Sequence, residues 1–438
     1  MFSYFFTQTP LKLFVQSFWR DEAFSYVLAQ QNIIQLLVAT AKDFNPPLYY
    51  IVLKFWMFIF GSSEVALRSI SFLFYWGTLY VSYLFLTEIL KLDQKKSLLY
   101  LLLFILNPLL TYYAFEARMY TMFVFFATLS FYAYFQRKIL LYQIVTTLGL
   151  YTHYFMILAV MTQLITVYLF ERKKPHFSFL IKKMVVPILI GVPWILFVVT
   201  QKTFLSESFW ILQYSLKDFL LIPSFLYTGY EREFGFLATT KQGEIPVLLW
   251  FSLIILGLFF FGYKRIGNRR LFQFLSIWIF FPSIVIFILS LYKPLLLPRY
   301  LVFVTPALLF LIILSLESLS RRMRIMTMAL LIAFTYSYNQ IQLQSRVKTD
   351  VAKMMREIKT LAEKDDVIYV TNELDFFTAQ YYFGINRVNI YGKTYEELPQ
   401  YVGKALIPKN KIVTSLPSYP KKAFVLRDET HYDIQSLY

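Results

Sequence analysis

The feature that most limits what this chain can fold into is a series of long apolar runs separated by short polar loops. Most runs have about 18 or more residues, the length at which a helix crosses the hydrocarbon core of a bilayer. We predict spans near residues 64–90, 97–113, 119–136, 139–151, 154–170, 184–200, 246–263, 271–291, 300–317 and 323–338. The run at 139–151 is short, so 139–170 is predicted as two helices or one bent pair. The pattern predicts an α-helical polytopic membrane protein with about 10–11 transmembrane helices.

Composition supports a membrane protein and argues against several other classes. With 58% hydrophobic and 20% aromatic residues, the chain is more apolar than a soluble domain, in which about half the residues are apolar. We attribute the net charge of +17 to basic residues retained in cytoplasmic loops, and not to nucleic-acid binding. The absence of cysteine excludes disulfides and thiolate metal sites, and three histidines argue against a histidine-built metal centre.

Three regions follow from the distribution of apolar residues. Residues 1–63, interrupted by prolines, are predicted as an N-terminal segment and first external loop with interfacial helices. Residues 64–338 are the predicted transmembrane domain, and residues 339–438 a small external α/β domain. Within the last region we predict an amphipathic helix at 348–364, strands near 366–370, 387–391, 411–416 and 423–426, and a helix around 379–382.

The loop charges predict the orientation of the chain in the membrane. If Asp21 is outside and each span crosses once, the inside loops hold clustered basic residues: Lys91, Lys95, Lys96, Arg137, Lys138, Arg172, Lys173, Lys174, Lys182, Lys183, Lys264, Arg265, Arg269, Arg270, Arg321, Arg322 and Arg324. The short outside loops carry only Arg118, Lys293 and Arg299. This asymmetry follows the positive-inside rule in every loop, so these three residues and the C-terminal domain are predicted to be extracytoplasmic.

Two adjacent acids, Asp21 and Glu22, stand just ahead of the first long apolar run. Ionised groups at a membrane edge are costly and are often functional. Neighbours on a helix point about 100° apart, so the two carboxylates cannot face one site. We predict Asp21 as the catalytic member, with Glu22 orienting it or capping the turn. The alternative is that both are solvated loop acids.

Other polar residues fall on the same predicted face of the membrane. Glu116 and Arg118 could form an interfacial ion pair, or Arg118 could bind a phosphodiester through forked hydrogen bonds. The pair Arg299 and Tyr300 could likewise be a snorkelling arginine with a belt tyrosine, or a second phosphate contact. His153 and Tyr154 lie at a helix junction, where a histidine is more often a hydrogen-bonded interface residue than a catalyst.

Three further features leave alternatives open. Asp21, Glu22 and Asp43 could supply oxygen ligands to Mg²⁺ or Mn²⁺, although their spacing is not diagnostic. Arg68 is predicted to anchor the first span or to bond nearby carbonyls. The long outer loop 201–245 carries acids that are either solvated or part of a lid over a site.

The residues resemble bacterial family-39-like glycosyltransferases of the GT-C superfamily, which includes the protein O-mannosyltransferases and the lipid A aminoarabinose transferase. The resemblance covers most of residues 15–320. It rests on Trp19-Arg20-Asp21-Glu22-Ala23, Asn45-Pro46-Pro47-Leu48-Tyr49-Tyr50, Phe60-Gly61-Ser62-Ser63-Glu64, Leu67-Arg68, Glu116-Ala117-Arg118-Met119-Tyr120, Thr152-His153-Tyr154 and Pro298-Arg299-Tyr300. Family members commonly have histidine where Asn45 stands, and a spanning helix ahead of the acidic pair, whereas 20 residues precede Asp21 here.

The resemblance implies a polyprenyl-phosphate-linked sugar donor and an inverting transfer on the outer face of a bacterial plasma membrane. Asp21 matches the family's base. The acceptor is a lipid, glycan or protein hydroxyl, and no cofactor beyond a possible Mg²⁺ or Mn²⁺ is expected. The residues allow the same chemistry: a carboxylate accepts the acceptor's proton, and fixed cations such as Arg118 and Arg299 stabilise the departing phosphate.

Two other functions remain as alternatives. An envelope oligosaccharide polymerase or ligase would use the same donor but would place catalysis in the loop 201–245. A lipid or sugar transporter would show internal repeats and polar groups at the membrane midplane. The chain shows no repeat, and its charged residues cluster at one interface.

Overall fold

From residue 9 onward, four helices precede the first long apolar helix. The computed structural model describes residues 9–201, 211–231 and 244–437. In that part of the chain the first helices are α1 (Lys12–Val15), α2 (Arg20–Gln30), α3 (Ile33–Ala41) and α4 (Leu48–Phe60). Asn32 caps α3 by accepting a hydrogen bond from Gln35 N–H. Gly61 ends α4 with a φ of 80°, a conformation that suits glycine.

The membrane region is a bundle of helices that cover every predicted span. Its members are α5 (Glu64–Leu84, continued by a π-helical turn, Phe85–Ile89), α6 (Gln94–Ile105), α7 (Pro108–Ala114), α8 (Tyr120–Phe135), α9 (Ile139–Leu150), α10 (Met156–Glu171), α11 (Phe177–Thr200), α12 (Ile222–Thr228), α13 (Glu244–Arg265), α14 (Arg269–Ser290), α15 (Thr305–Glu317, after a 3₁₀ turn, Pro298–Val304) and α16 (Arg321–Ser345). Residues 139–170 form two helices, the first of the two predicted arrangements.

Within the described residues, five helical segments are long and apolar enough to cross a bilayer, and a bent pair would make six. The prediction of about 10–11 spans is larger for two reasons: α8, α9 and α10 are apolar but have only 10–17 residues, and α16 is long but is not among the segments apolar enough to cross. At 1.5 Å per residue, the 16 residues of α8 extend about 24 Å, less than the roughly 30 Å hydrocarbon core. Nearly all of α8 is buried, so this helix is surrounded by protein.

The bent pair, α6 and α7, turns by 70° at Asn107-Pro108. Proline has no N–H to donate and clashes with the preceding turn, so α6 cannot continue through it. Asn107 accepts a hydrogen bond from Leu110 N–H and caps α7, and its amide donates to the Tyr227 carbonyl at 2.9 Å. The bend returns the chain to the segment 115–119, which carries Glu116 and Arg118.

The C-terminal region is a five-stranded sheet with helices. The elements are α17 (Val351–Leu361), β1 (Val367–Val370), α18 (Phe376–Phe383), β2 (Val388–Tyr391), β3 (Ile412–Val413), β4 (Ala423–Leu426) and β5 (Tyr432–Gln435). The order is β3-β2-β1-β4-β5, and all pairs are parallel except β4 with β5. The predicted fold class, a helical membrane protein with a C-terminal α/β region, is confirmed.

Helix α2 lies between the membrane helices and the C-terminal domain, packing against α4 and α18. Lys54 Nζ donates to the Ala29 and Gln31 carbonyls at 3.2 and 2.9 Å, so a cation caps the C-terminal end of α2. At the N-terminal end of α2, Arg20 Nη2 pairs with Asp375 Oδ1 at 3.2 Å. Contacts at both ends therefore hold the helix that carries Asp21 and Glu22.

Candidate active site

Glu22 points into the protein and is fully buried. Its carboxylate accepts hydrogen bonds from Arg68 Nε and Nη2 at 2.8 and 2.7 Å, from Lys348 Nζ at 2.8 Å and from Ala117 N–H at 2.9 Å. Burial opposes ionisation of Glu22, but Arg68 and Lys348 outweigh it and lower the pKa to about 2. A carboxylate that is already ionised and fully bonded is suited to a supporting role.

Arg68 also donates to three backbone carbonyls. These belong to Phe14, Gln16 and Ser17, at 2.8, 2.6 and 3.2 Å. The prediction that Arg68 bonds nearby carbonyls is confirmed. The guanidinium therefore joins the first long helix to the segment that precedes α2.

Asp21 points away from Glu22 and remains accessible, with 39% of its side chain exposed. Its Oδ2 lies 3.4 Å from Arg118 Nη1 and 4.0 Å from Arg299 Nη1. Arg118 Nη1 also donates to the Asp21 carbonyl at 3.3 Å. The two adjacent acids thus face different partners, as helical geometry requires. Asp21 is the accessible one.

Arg299 is engaged by a second acid, Glu231. Arg299 Nε donates to Glu231 Oε1 at 2.9 Å, and Nη2 contacts Oε2. Tyr113 donates to the same Oε1 at 3.3 Å. Both arginines were predicted to hold a phosphate. The guanidinium of Arg299 is bound to Glu231 and lies behind Asp21, whereas Arg118 faces a cavity.

The cavity has a volume of about 710 Å³, and Arg118, the partner of Asp21, lines it. Its polar lining consists of Asp43, Asn45, Arg118, Tyr120, Tyr151, His153, Tyr154, Lys293 and Tyr300. The remaining wall is apolar and is formed largely by α11 between Ile188 and Val198, with Leu150 at the end of α9. These eleven helical residues extend about 15 Å, and the part of the cavity that they border is called the apolar channel.

Helix α11 is poorly covered by protein. Only 22% of the residues in its most apolar stretch are buried, against 39–83% for the other four long segments. Side chains of α11 that do not line the cavity, including Leu189 and Val199, are exposed. In a membrane these residues contact lipid. A single helix, α11, therefore separates the cavity from the bilayer.

His153 is buried beside the cavity and is stacked on Phe123 with centroids 4.6 Å apart. Its Nδ1 accepts a hydrogen bond from Phe155 N–H at 3.2 Å, and Nε2 has no partner among the described residues. Burial and Arg118 lower the pKa of His153 to about 3. The ring is therefore neutral, and its Nε2–H is a hydrogen-bond donor.

Asp43 is half-buried in the polar lining. Burial raises its pKa to about 6, and the Asp21 carboxylate acts in the same direction, although Phe44 N–H and Arg118 oppose the rise. The sequence singled out Asp43 only as a metal ligand. The sequence feature that could have indicated a place for Asp43 in the cavity is its position just before Asn45-Pro46-Pro47, because Asn45 lines the same cavity.

Glu116 and Tyr154 differ in their position relative to the cavity. Glu116 is buried, with Oε1 3.8 Å from Lys348 Nζ, and it does not line the cavity. Tyr154 lines the cavity, and its hydroxyl accepts a hydrogen bond from Trp194 Nε1 at 3.3 Å. The predicted Glu116–Arg118 ion pair is absent among the described residues, where Glu116 instead faces Lys348.

The three acids considered as metal ligands do not converge. Glu22 is bound by two cations, and Asp21 faces two arginines. Within 9–201, 211–231 and 244–437, no group of three His, Asp or Glu side chains is placed to hold an ion. Asp21, Glu22 and Asp43 therefore do not form one ligand set in these parts of the chain.

The loop 201–245, the predicted site of the alternative polymerase activity, is described only in part. Residues 202–210 and 232–243 lie outside the described residues. Among the others, Asp218 forms a capping box with Ser215, and Glu231 binds Arg299. Sequence reasoning missed Glu231 and Lys348, since their partners are 68 and 326 residues away.

Comparison with known proteins identifies the fold. No family model matches this chain, and no curated protein matches it. The solved structure of ArnT from Cupriavidus metallidurans in the apo state matches with a TM-score of 0.66 and 14% identity, covering 95% of this chain and 90% of that one. The same protein bound to undecaprenyl phosphate matches with a TM-score of 0.61 and 13% identity, covering 95% and 91%. The resemblance drawn from sequence is confirmed at the level of the fold: this chain has the fold of ArnT.

Proposed function

We propose that this protein is an integral membrane glycosyltransferase. It moves a sugar from a polyprenyl-phosphate-linked donor to an acceptor hydroxyl on the extracytoplasmic face, with inversion at the anomeric carbon. The observation that carries this proposal is the cavity, which combines cations and hydrogen-bond donors with an apolar channel bordered by about 15 Å of α11. An amphipathic cavity of this kind suits a phosphate joined to a hydrocarbon chain.

The donor phosphate binds at the polar end. Arg118 and Lys293 both line this end, and an arginine fork is well suited to a phosphodiester. The Nε2–H of His153 and the Tyr300 hydroxyl add neutral donors nearby. The isoprenoid chain lies along α11, which is exposed to lipid on its other side. A lipid-linked substrate therefore enters from the bilayer without crossing water.

Asp21 acts as the general base. The acceptor oxygen attacks the anomeric carbon while its proton passes to the Asp21 carboxylate. The bond between the anomeric carbon and the phosphate oxygen breaks at the same time, and polyprenyl phosphate departs with the electron pair. Arg118, paired with Asp21 in the resting state, then faces a developing negative charge and stabilises it.

The remaining predicted residues support this arrangement. Glu22 orients α2 through Arg68, and Arg299 holds Asp21 from behind while Glu231 fixes the guanidinium. Glu116 balances Lys348, and Tyr154 shapes the cavity wall beside Trp194. None of these steps requires a metal ion.

The comparisons and the loop charges support the same proposal. One of the solved structures with this fold is ArnT bound to undecaprenyl phosphate. The positive-inside asymmetry supports a position of Arg118, Lys293 and Arg299 on the outer face.

A donor panel tests the function. Purified protein in lipid nanodiscs is incubated with radiolabelled polyprenyl-phospho-sugars or with nucleotide sugars, together with a mixture of envelope acceptors. We expect release of polyprenyl phosphate and labelled product from the lipid-linked donors alone. Turnover of nucleotide sugars, or transport of the intact donor without cleavage, would contradict the proposal.

A further inference from the structure

Lys348 lies in the short segment between α16 and α17 and is buried against the back of the site. Its side chain is 11% exposed, and its Nζ lies 2.8 Å from Glu22 Oε2 and 3.8 Å from Glu116 Oε1. The ammonium group also lies 5.6 Å from the centre of the Trp19 ring. This lysine comes from the segment that leads into the C-terminal domain, yet its partners lie in α2 and the segment before α8.

Four buried groups balance one another around Lys348. Two are cations, Arg68 and Lys348, and two are acids, Glu22 and Glu116. Burial lowers the pKa of Lys348, against the pull of Glu22, and burial raises the pKa of Glu116. Without Lys348, two buried carboxylates would share a single arginine, an arrangement that costs much more than an exposed pair.

Glu22 is linked to both members of the proposed catalytic pair. It is the chain neighbour of Asp21, so the rotation of α2 that buries Glu22 also sets the direction of Asp21. Its Oε1 accepts the N–H of Ala117, the chain neighbour of Arg118, at 2.9 Å. A shift of the Glu22 carboxylate would therefore move Asp21 and Arg118 relative to each other.

The same segment is tied to the residues just before α2. Lys348 N–H donates to Gln16 Oε1 at 3.4 Å, and Ser17 Oγ donates to Asp350 Oδ1 at 2.9 Å. Ser17 Oγ in turn accepts from Ala352 N–H at 3.2 Å. The approach to α2 and the entry to the C-terminal domain thus form one hydrogen-bonded unit, with Lys348 at its buried end.

We infer that Lys348 is a positioning residue for the proposed transfer: it holds Glu22, and through Glu22 the Asp21–Arg118 pair, in the reactive arrangement. Docking of the C-terminal domain is thereby coupled to the catalytic carboxylate. The inference rests on the proposed function for its kinetic consequence, but its structural consequence, the fixed position of α2, stands without it.

The test compares Lys348→Met with Lys348→Arg. Methionine keeps the length but removes the charge, whereas arginine keeps the charge. Lys353→Met is the matched control, because Lys353 is exposed and lies in the same part of the chain. Two quantities are measured on protein that elutes as a folded peak: kcat and KM for the lipid-linked donor, and hydrogen exchange at the backbone amides of α2 and Ala117.

We expect Lys348→Met to lower kcat about 100-fold while the donor KM changes less than about threefold, because misplacing a catalytic group by about 1 Å has effects of this size. Lys348→Arg should recover at least about a third of the wild-type kcat. The α2 amides should exchange at least about tenfold faster in Lys348→Met, and Lys353→Met should match the wild type.

The outcomes separate this inference from the proposed function. Wild-type kcat in folded Lys348→Met, or a loss that Lys348→Arg does not recover, would overturn the positioning role. If the wild type transfers no sugar, the proposed function fails, and hydrogen exchange alone decides the inference. If Lys348→Met does not accumulate, the charge-balanced double variant Lys348→Met/Glu116→Gln replaces it, measured against Glu116→Gln alone, with the same loss of kcat expected.

Discussion

At the scale of single residues, two adjacent acids have been given opposite environments. Glu22 receives four hydrogen bonds and is fully buried, whereas Asp21 is accessible and faces two arginines. Sequence reasoning predicted this division because helical neighbours cannot share a direction. It did not predict Lys348 as the partner of Glu22, since nothing local marks a pairing across 326 residues. Long-range ion pairs are decided by tertiary packing.

Asp43 makes donor binding depend on pH. Its raised pKa of about 6 means that the side chain is neutral below that pH and anionic above it. An anion beside Arg118, near Asp21, weakens binding of the negatively charged donor. We expect the donor Kd to rise roughly three- to tenfold, or about 0.7–1.4 kcal/mol, between pH 5 and 7.

The measurement uses a polyprenyl-phospho-sugar, which is a diester. A phosphate monoester would confuse the result, because it loses its second proton near pH 6. Asp43→Asn should give a Kd that stays flat across the range. The matched control is Asp365→Asn at an exposed position, which should keep the wild-type slope. Equal slopes in wild type and Asp43→Asn would show that another group titrates.

At the scale of elements, long apolar runs predicted the long helices of the membrane region but not how these helices differ. Residues 97–113 were predicted as one span, whereas α6 and α7 are separated at Asn107-Pro108 by a 70° bend that returns the chain to Arg118. Helices α11 and α14 are similarly apolar in sequence, with mean hydropathies of 2.1 and 2.3. Their burial differs, since 22% of the apolar stretch of α11 is buried against 56% for α14. The lipid-facing wall of the cavity therefore required the structure.

Gly191 on α11 offers a test of the apolar channel. A Cβ added there would lie 3.8 Å from Leu150 Cδ1, so a larger side chain enters the cavity without disturbing the backbone. Gly191→Leu should raise KM about tenfold for an undecaprenyl donor. A donor with two isoprene units should be unaffected, because its chain ends before the obstruction. KM is measured for both donors in detergent.

Gly257→Leu in α13 is the matched control. A Cβ at Gly257 meets nothing within 4 Å, so the same gain in helix propensity occurs away from the cavity. This variant should leave both KM values unchanged. An equal effect of Gly191→Leu on long and short donors would place the hydrocarbon chain elsewhere.

At the scale of the whole molecule, the C-terminal domain and the membrane bundle share the helix that carries Asp21. Sequence patterning predicted β1 to β4 but not β5 (Tyr432–Gln435). It also did not predict the order β3-β2-β1-β4-β5, in which β4 reaches β1 across intervening elements. Nor could it predict that Gly403 of this domain packs on Phe24 of α2, where a Cβ would lie 2.6 Å from Phe24 Cε2. Such contacts appear only when both units are folded.

Gly403→Ala should weaken the docking of the domain. Both Gly403 and Gly392 have positive φ, 79° and 76°, so alanine at either costs roughly 1–2 kcal/mol of backbone strain. Gly392 has no atom near an added Cβ, which makes Gly392→Ala the control for strain alone. We expect only Gly403→Ala to lower kcat and to speed protease cleavage between α16 and α17. Equal behaviour of the two variants would show that the contact with Phe24 is irrelevant.

The central claim is that Asp21 accepts the proton in a sugar transfer from a lipid-linked donor. Turnover and donor binding are measured on the same preparations of wild type and Asp21→Asn. We predict that Asp21→Asn loses transfer by a factor on the order of 10²–10⁴. Donor binding should be retained or tightened, because Arg118 loses its competing carboxylate. Full turnover by Asp21→Asn would contradict the account.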